Sequence, residues 1–370
     1  MKYYIIAGEA SGDLHASNLM KQIVQEDPEA QFRFWGGDLM EAVGGKLVKH
    51  YRDLAFMGFL EVVKNIRTIL RNMRFCKQDI KDFEPDALIL VDYPGFNLRI
   101  AKWAKKAGLK VFYYISPQIW AWHSSRVHGI KASVDKMFVI LPFEPGFYQK
   151  YDYAVDFVGH PLLDVTTHYQ ASDEFISKNQ LPDKPLIGIF PGSRKQEINR
   201  MLSEMLQVVP HFPDYHFVIA GAPSQSPSFY EPFLTQVSAP NISLVSQQSY
   251  DLLSLAKAAL VTSGTATLET ALFKVPQVVC YKGSPLNYWL AKRLINVKYI
   301  SLVNLIVDRP LVKELIQGEL NTPQLLASLK DILEPQHSTE IRDGYSELIE
   351  KLGQEGASAR AAKLMYQYAK

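Results

Sequence analysis

The chain has 370 residues, which at roughly 150 per domain predicts about two domains and excludes a one-layer module. Hydrophobic residues at 47% and charged residues at 21% exclude disorder and low complexity. The 40 basic residues nearly balance the 38 acidic ones, and a formal charge of +2 gives no global reason to expect nucleic acid as a partner.

Met1-Lys2-Tyr3-Tyr4-Ile5-Ile6-Ala7-Gly8 meets Glu9 too soon for a secretory signal, and no apolar run reaches the roughly 18 residues of a spanning helix. The expected protein is soluble, or at most sits on a membrane face. Cys76 and Cys280 lie far apart in apolar surroundings, without metal or disulfide spacing, as suits a reducing cytosol.

β-branched and aromatic runs at 3–7, 32–35, 87–91, 111–115 and 137–141 alternate with amphipathic stretches, which is a βαβ pattern. The alternation resumes with runs at 186–190, 217–220, 242–245, 259–261 and 277–280. The expected fold is α/β: two Rossmann-like, doubly wound parallel-sheet domains facing a central cleft. They are placed at 1–160 and 186–320, joined by a proline-bearing linker over 161–185 and followed by an all-helical tail over 321–370. Ligands of such sheets bind beyond the carboxyl ends of strands, so the exits carry the argument.

The first exit is Gly8-Glu9-Ala10-Ser11-Gly12-Asp13, before a helix expected from about Leu14. Ser11 or Asp13 can be a plain N-cap; Glu9 then has no capping duty and is a candidate for the cleft. Next, Phe59, Val62, Val63, Ile66, Ile69, Leu70 and Met73 fall at helical spacing, with Lys64, Arg67, Arg71, Arg74 and Lys77 on an adjoining face and no acid between Val62 and Gln78. A core stripe with a solvated rim and an anionic membrane contact both fit; Met57 and Phe59 just before it favour the membrane. The exit Asp92-Tyr93-Pro94-Gly95-Phe96-Asn97 places a carboxylate after a buried strand, where Asp92 is either a general base or a turn aspartate ahead of Pro94. Aromatic crowding over Ser116-Pro117-Gln118-Ile119-Trp120-Ala121-Trp122-His123, with Arg126, can line a pocket or pack under a loop, and His160 is a weaker cleft candidate.

In the second half, Phe190-Pro191-Gly192-Ser193-Arg194 opens a helix, and its N–H groups with the Arg194 guanidinium make an anion seat; a solvated surface arginine is the alternative. Thr262-Ser263-Gly264-Thr265-Ala266-Thr267-Leu268-Glu269 again joins strand to helix. Glu269 can accept from ribose hydroxyls or complete a capping box. Two anion seats with a diol-binding carboxylate point to a nucleoside diphosphate, economically a sugar nucleotide. No two aspartates are separated by one residue, and H-E-x-x-H and paired C-x-x-C are absent, so no metal or other cofactor is expected. Amides, hydroxyls and Arg194 then stabilise the leaving group.

At these residues the chain resembles bacterial lipid-A-disaccharide synthases, glycosyltransferases of the GT-B type. The matching stretches are Ala7-Gly8-Glu9-Ala10-Ser11-Gly12-Asp13, Asp92-Tyr93-Pro94-Gly95-Phe96-Asn97, Ser116-Pro117-Gln118-Ile119-Trp120-Ala121-Trp122, Leu141-Pro142-Phe143-Glu144, Pro191-Gly192-Ser193-Arg194, Ser263-Gly264-Thr265-Ala266-Thr267-Leu268-Glu269 and Ser301-Leu302-Val303-Asn304-Leu305. The first and third are specific to the family; P-G-S-R and S-G-T loops recur in related transferases and epimerases. The resemblance implies transfer of diacylglucosamine from a UDP-diacylglucosamine donor to the 6-hydroxyl of a diacylglucosamine 1-phosphate acceptor, with anomeric inversion. It implies Asp92 as base, Glu9 and Ser11 holding the reacting sugars, Arg194 on a phosphate, Glu269 on the ribose, and Asn304 as a further binding residue. Where some relatives carry a second acid after Asp92, this chain has Gly95, so only Asp92 can supply the base. Acyl chains on both sugars imply a cytoplasmic, peripheral placement on the inner face of the inner membrane; a homodimer is left open. The rivals are a UDP-N-acetylglucosamine epimerase of the same architecture and a non-catalytic two-lobed sugar-binding protein.

Overall fold

The computed structural model describes residues 1–54, 66–122, 124–237, 239–284, 288 and 297–370. They fall into two units: residues 1–164 with 353–370, and residues 165–352.

In the N-terminal unit the described residues form β1 (Lys2–Ala7), β2 (Gln31–Gly36), β3 (Lys46–His50), β4 (Ala87–Val91), β5 (Val111–Tyr114), β6 (Lys136–Val139) and β7 (Asp156–Phe157). They make one sheet in the order β3-β2-β1-β4-β5-β6-β7, every pair parallel. β4 reads Ala-Leu-Ile-Leu-Val and is buried throughout, as a central strand covered on both faces must be. Leu88 and Leu90 face one cluster with Tyr4, Ile6, Ile100 and Val139; burying each such side chain contributes about 1.5–3 kcal/mol.

The C-terminal unit holds β8 (Leu186–Phe190), β9 (His216–Gly221), β10 (Ile242–Ser246), β11 (Ala256–Thr262), β12 (Gln277–Tyr281) and β13 (Lys313–Ile316). Their order is β10-β9-β8-β11-β12-β13, again all parallel. Both sheets therefore reverse direction once, between β1 and β4 and between β8 and β11. These are the topological switch points at which doubly wound sheets open a crevice.

All ten strands expected from the sequence are present, with ends shifted by up to three residues. Two run-outs are corrected: β5 stops at Tyr114 because Ile115 takes φ +65°, and β6 stops at Val139. Three edge strands, β3, β7 and β13, were not anticipated; they are short, and β3 and β13 carry Lys46, Lys49, Lys313 and Glu314, as exposed edges do.

The tail is helical as expected, over Thr322–Leu333, Pro335–Leu352 and Ala357–Ala369. The first two belong to the C-terminal unit and the last to the N-terminal unit, where it packs on the helix Ala10–Glu26. Asp164 starts that last helix, its carboxylate accepting the N–H groups of Gly356, Ala357 and Ser358 at 2.6, 3.2 and 3.1 Å.

Candidate functional site

The parallel register sets Ala7 opposite Val91, so the exits Gly8-Glu9 and Asp92-Tyr93 leave the first sheet side by side. Asp92 and Tyr93 both take left-handed backbone, φ +44° and +50°, a conformation that costs residues with side chains of order 1–3 kcal/mol each. The turn is over-determined from below. Asn97, fully buried, donates its Nδ2 to the carbonyls of Val91 and Asp92 at 3.2 and 2.8 Å, and the Tyr113 hydroxyl donates to the Asp92 carbonyl. The Tyr93 ring lies over Gly8, where an added Cβ would come within 2.3 Å of it. Burial and then the nearby Glu9 charge push the Tyr93 hydroxyl's pKa up.

Glu9 occupies the N-cap position of the helix Ala10–Glu26, which begins four residues earlier than expected. Neither Ser11 nor Asp13 is the N-cap. Ser11 is exposed in the first turn; Asp13 instead accepts N–H groups of Gly37, Leu39 and Met40 at 2.7, 3.1 and 3.2 Å, and so caps the following helix Asp38–Val43.

The basic helix is described over Ile66–Phe83. Met57, Phe59, Val62, Val63 and Lys64 lie outside the described residues, as do the Ile66 side chain, the Trp122 side chain and His123. The core reading holds for one face of this helix. Met73, Cys76 and Ile80 enter the core, and Asp79 anchors that face by accepting from Tyr4 and Arg33. Arg67, Leu70, Arg71 and Arg74 are exposed and Ile69 is half-buried. Phe75, which the spacing argument passed over, is 48% exposed, and Leu70 is 46% exposed.

Trp120 packs edge-on against Phe143, centroids 4.9 Å apart, so the aromatic loop rests on the Leu141-Pro142-Phe143-Glu144 stretch. Beneath it Glu144 is 1% exposed and accepts the N–H groups of Ile140 and Leu141 at 3.2 and 2.9 Å. Burial pushes its pKa up to about 7, against the opposing pull of those N–H groups and of Ser116. His160 is buried, its Nδ1 accepting the Leu162 N–H at 3.2 Å, and burial pushes its pKa down to about 3.

In the second sheet Phe190 pairs with Val261, so the exits 191–194 and 262–265 are also neighbours. Glycines carry the special backbone here: Gly192 has φ +109° and Gly264 φ +155°. At Gly192 an added Cβ would also meet the Glu197 carboxylate at 3.0 Å. Ser193, Arg194, Gly264 and Thr265 are exposed, and Arg194 pairs with Glu197 at 3.2 Å. Each exit opens a helix, Lys195–Leu206 and Thr265–Leu272, whose first-turn N–H groups have no intrahelical partner and favour anions.

Glu269 does not complete a capping box; it accepts the Tyr250 hydroxyl at 2.8 Å, and burial raises its pKa. Tyr250 packs at a tilt against Phe273 and edge-on against Tyr169, an aromatic surround that only the tertiary fold assembles. Ser263 donates its hydroxyl to the Ile300 carbonyl at 2.9 Å. Asn304 is buried, its amide donating to Val312 and Glu314 and accepting from the Val312 N–H, all at 2.9 Å. Glu314, absent from the sequence reading, organises that corner. Among the described residues no group of three or more His, Cys, Asp or Glu is arranged to hold a metal ion, and no helix is long and apolar enough to cross a membrane.

A sequence model of the family described as Lipid-A-disaccharide synthetase matches residues 3–367. The lipid-A-disaccharide synthase of Syntrophus aciditrophicus is 40% identical over 364 residues, covering 97% of this chain and 95% of that protein. That of Geobacter metallireducens is 39% identical over 367 residues, covering 98% and 95%. Among solved structures, the UDP-GlcNAc 2-epimerase from Neisseria meningitidis bound to UDP-GlcNAc superposes with a TM-score of 0.69 at 13% identity, covering 99% of this chain and 100% of that one. At that identity the likeness concerns the fold alone.

Proposed function

Since the chain belongs to the lipid-A-disaccharide synthase family, a family of glycosyltransferases, we propose that it moves 2,3-diacylglucosamine from its UDP derivative to 2,3-diacylglucosamine 1-phosphate. The products are the β-1,6-linked disaccharide 1-phosphate and UDP. The observation that carries the reading is the Asp92 turn: an acid on strained backbone, pinned by Asn97 and Tyr113 and set beside Glu9 at a switch point. Strain of that kind persists where the surroundings impose it, and it gathers at sites that need a fixed geometry.

In this reaction the acceptor's 6-hydroxyl attacks the anomeric carbon of the donor sugar while its proton passes to the Asp92 carboxylate. The bond from that carbon to the diphosphate oxygen breaks on the opposite face, its electron pair leaves with UDP, and the anomer inverts. Glu9 and Ser11 hold the sugars. The developing charge on the diphosphate meets Arg194, Ser193, Gly264, Thr265 and the two helix starts, with Ser263 shaping the turn, Asn304 ordering the adjoining loop and Glu269 receiving the ribose.

Arg67, Leu70, Arg71, Arg74 and Phe75 form an exposed cationic and apolar face on one helix, which suits the anionic cytoplasmic face of the inner membrane, where both substrates keep their acyl chains. Incubation with UDP-diacylglucosamine and diacylglucosamine 1-phosphate tests the reading. Equal release of UDP and disaccharide is expected; epimerisation of a UDP-sugar, or binding without turnover, rejects it.

A further inference from the structure

We propose that Glu314 is a positioning residue for the nucleotide seat, holding the Ser263 turn in place through the Ile300 peptide. The inference rests on the reading that the β8 and β11 exits receive the UDP portion of the donor.

Glu314 lies on β13, an edge strand where a charged side chain ordinarily faces water. Here its carboxylate gathers four donors. Oε2 accepts the Ile300 N–H at 3.0 Å; Oε1 accepts the Ser301 N–H at 2.9 Å, the Ser301 hydroxyl at 2.7 Å and the Asn304 Nδ2 at 2.9 Å. Hydrogen bonds to an ionised acceptor are about twice as strong as neutral ones, so this one side chain is a strong attachment for residues 300–304. Ser301 in turn caps the helix Leu302–Val307 through the Asn304 N–H.

Ile300 is held from both sides. Its N–H goes to Glu314, and its carbonyl accepts the Ser263 hydroxyl. The Ser263 N–H is bonded to the Cys280 carbonyl at 3.1 Å on β12, so both donors of Ser263 are committed to framework. β13 does not pair with β11, because β12 lies between them. Among the described residues the Glu314 side chain reaches the β11 exit through the loop, by the chain Glu314, Ile300, Ser263. With Ser263 fixed, Gly264 and Thr265 open the helix in one geometry, and that geometry sets where a diphosphate sits. An amide at 314 places an NH2 group against donors and breaks the chain while nearly preserving volume.

The test measures UDP binding by calorimetry and steady-state kinetics on the full chain. For Glu314→Gln the expected result is a UDP Kd and a donor KM raised about tenfold, the scale of one or two lost charge-assisted bonds, with kcat within about threefold and acceptor KM unchanged. Ser263→Ala is expected to cost a similar factor, and the double variant little more than either, because both cut one chain. Should Glu314→Gln not fold, Ser301→Ala keeps the acid, removes one donor, and is expected to raise UDP Kd about threefold. Unchanged UDP affinity in the folded variants, a fall in kcat at constant KM, or additive effects overturns the proposal while leaving the seat intact. Failure of the unsubstituted protein to bind UDP, or UDP affinity indifferent to Arg194→Ala and Thr265→Ala, overturns the seat itself.

Discussion

The two switch points solve the same backbone problem with different residues. Beyond β8 and β11 the left-handed positions are Gly192 and Gly264; beyond β4 they are Asp92 and Tyr93, which pay steric strain that glycine avoids. The difference follows from what each exit is proposed to present. A diphosphate seat needs bare N–H groups and close approach, which glycine supplies. A base needs a carboxylate, so the strain is kept and countered by buried donors, Asn97 and Tyr113, on the Asp92 carbonyl. One exit is shaped by what it lacks, the other by what braces it.

Asp92→Asn presses hardest on this contrast. Its kcat is expected to fall about 1,000-fold, within the range for loss of a general base, with the thermal transition and UDP affinity retained. A rate within tenfold of the unsubstituted enzyme would remove Asp92 from the reaction. The same unit is proposed to face lipid, and changing Arg67, Arg71 and Arg74 together to Glu is expected to lower affinity for anionic vesicles at low salt by more than about 100-fold, about 1 kcal/mol for each of the three cations removed, with the repulsion of the added carboxylates on top. Equal co-sedimentation of the two proteins argues for a merely solvated helix face.

Glu144 probes how firmly the first sheet's exits are braced. Its carboxyl binds a proton more tightly folded than unfolded, so the stability it confers is complete below the ordinary carboxylate range. That stability is lost as pH rises to about 7, and is then flat. The loss is on the order of 3 kcal/mol, and Glu144→Gln is expected to abolish that slope in denaturant titrations from pH 4.5 to 8. The smallest expected effect is at the glycine-built exit. Arg194 is exposed and already paired with Glu197, so Arg194→Ala is expected to raise donor KM about tenfold while the pH profile of kcat stays in place. A moved profile would tie Arg194 to proton transfer.

The central strands were legible because Ala87–Val91 and Leu186–Phe190 are apolar without interruption, as only doubly covered strands can be. The edge strand Lys313–Ile316 was not, since half of its residues are charged and its partner Val278–Tyr281 lies more than thirty residues earlier. The exits themselves could be read from Gly, Asp and Arg after apolar runs. The partners of those residues could not. Asp13 serves a helix that begins 25 residues later, Tyr250 reaches Glu269 from another helix, and Glu314 works on a loop it meets only in the folded chain. Local pattern places the groups at the strand ends; nonlocal hydrogen bonds decide what each is able to do.

The return of Ala357–Ala369 to the N-terminal unit has a consequence for biosynthesis. That unit is finished only after residues 353–370 have been translated, because the helix Ala10–Glu26 packs against a partner made more than 300 residues later. A nascent chain halted before Gly353 leaves the Asp164 carboxylate without the three N–H groups it holds in the mature fold. The unit that carries Asp92 is thus completed after residues 165–352 have been made, and loss of residues 353–370 damages the unit that begins the chain.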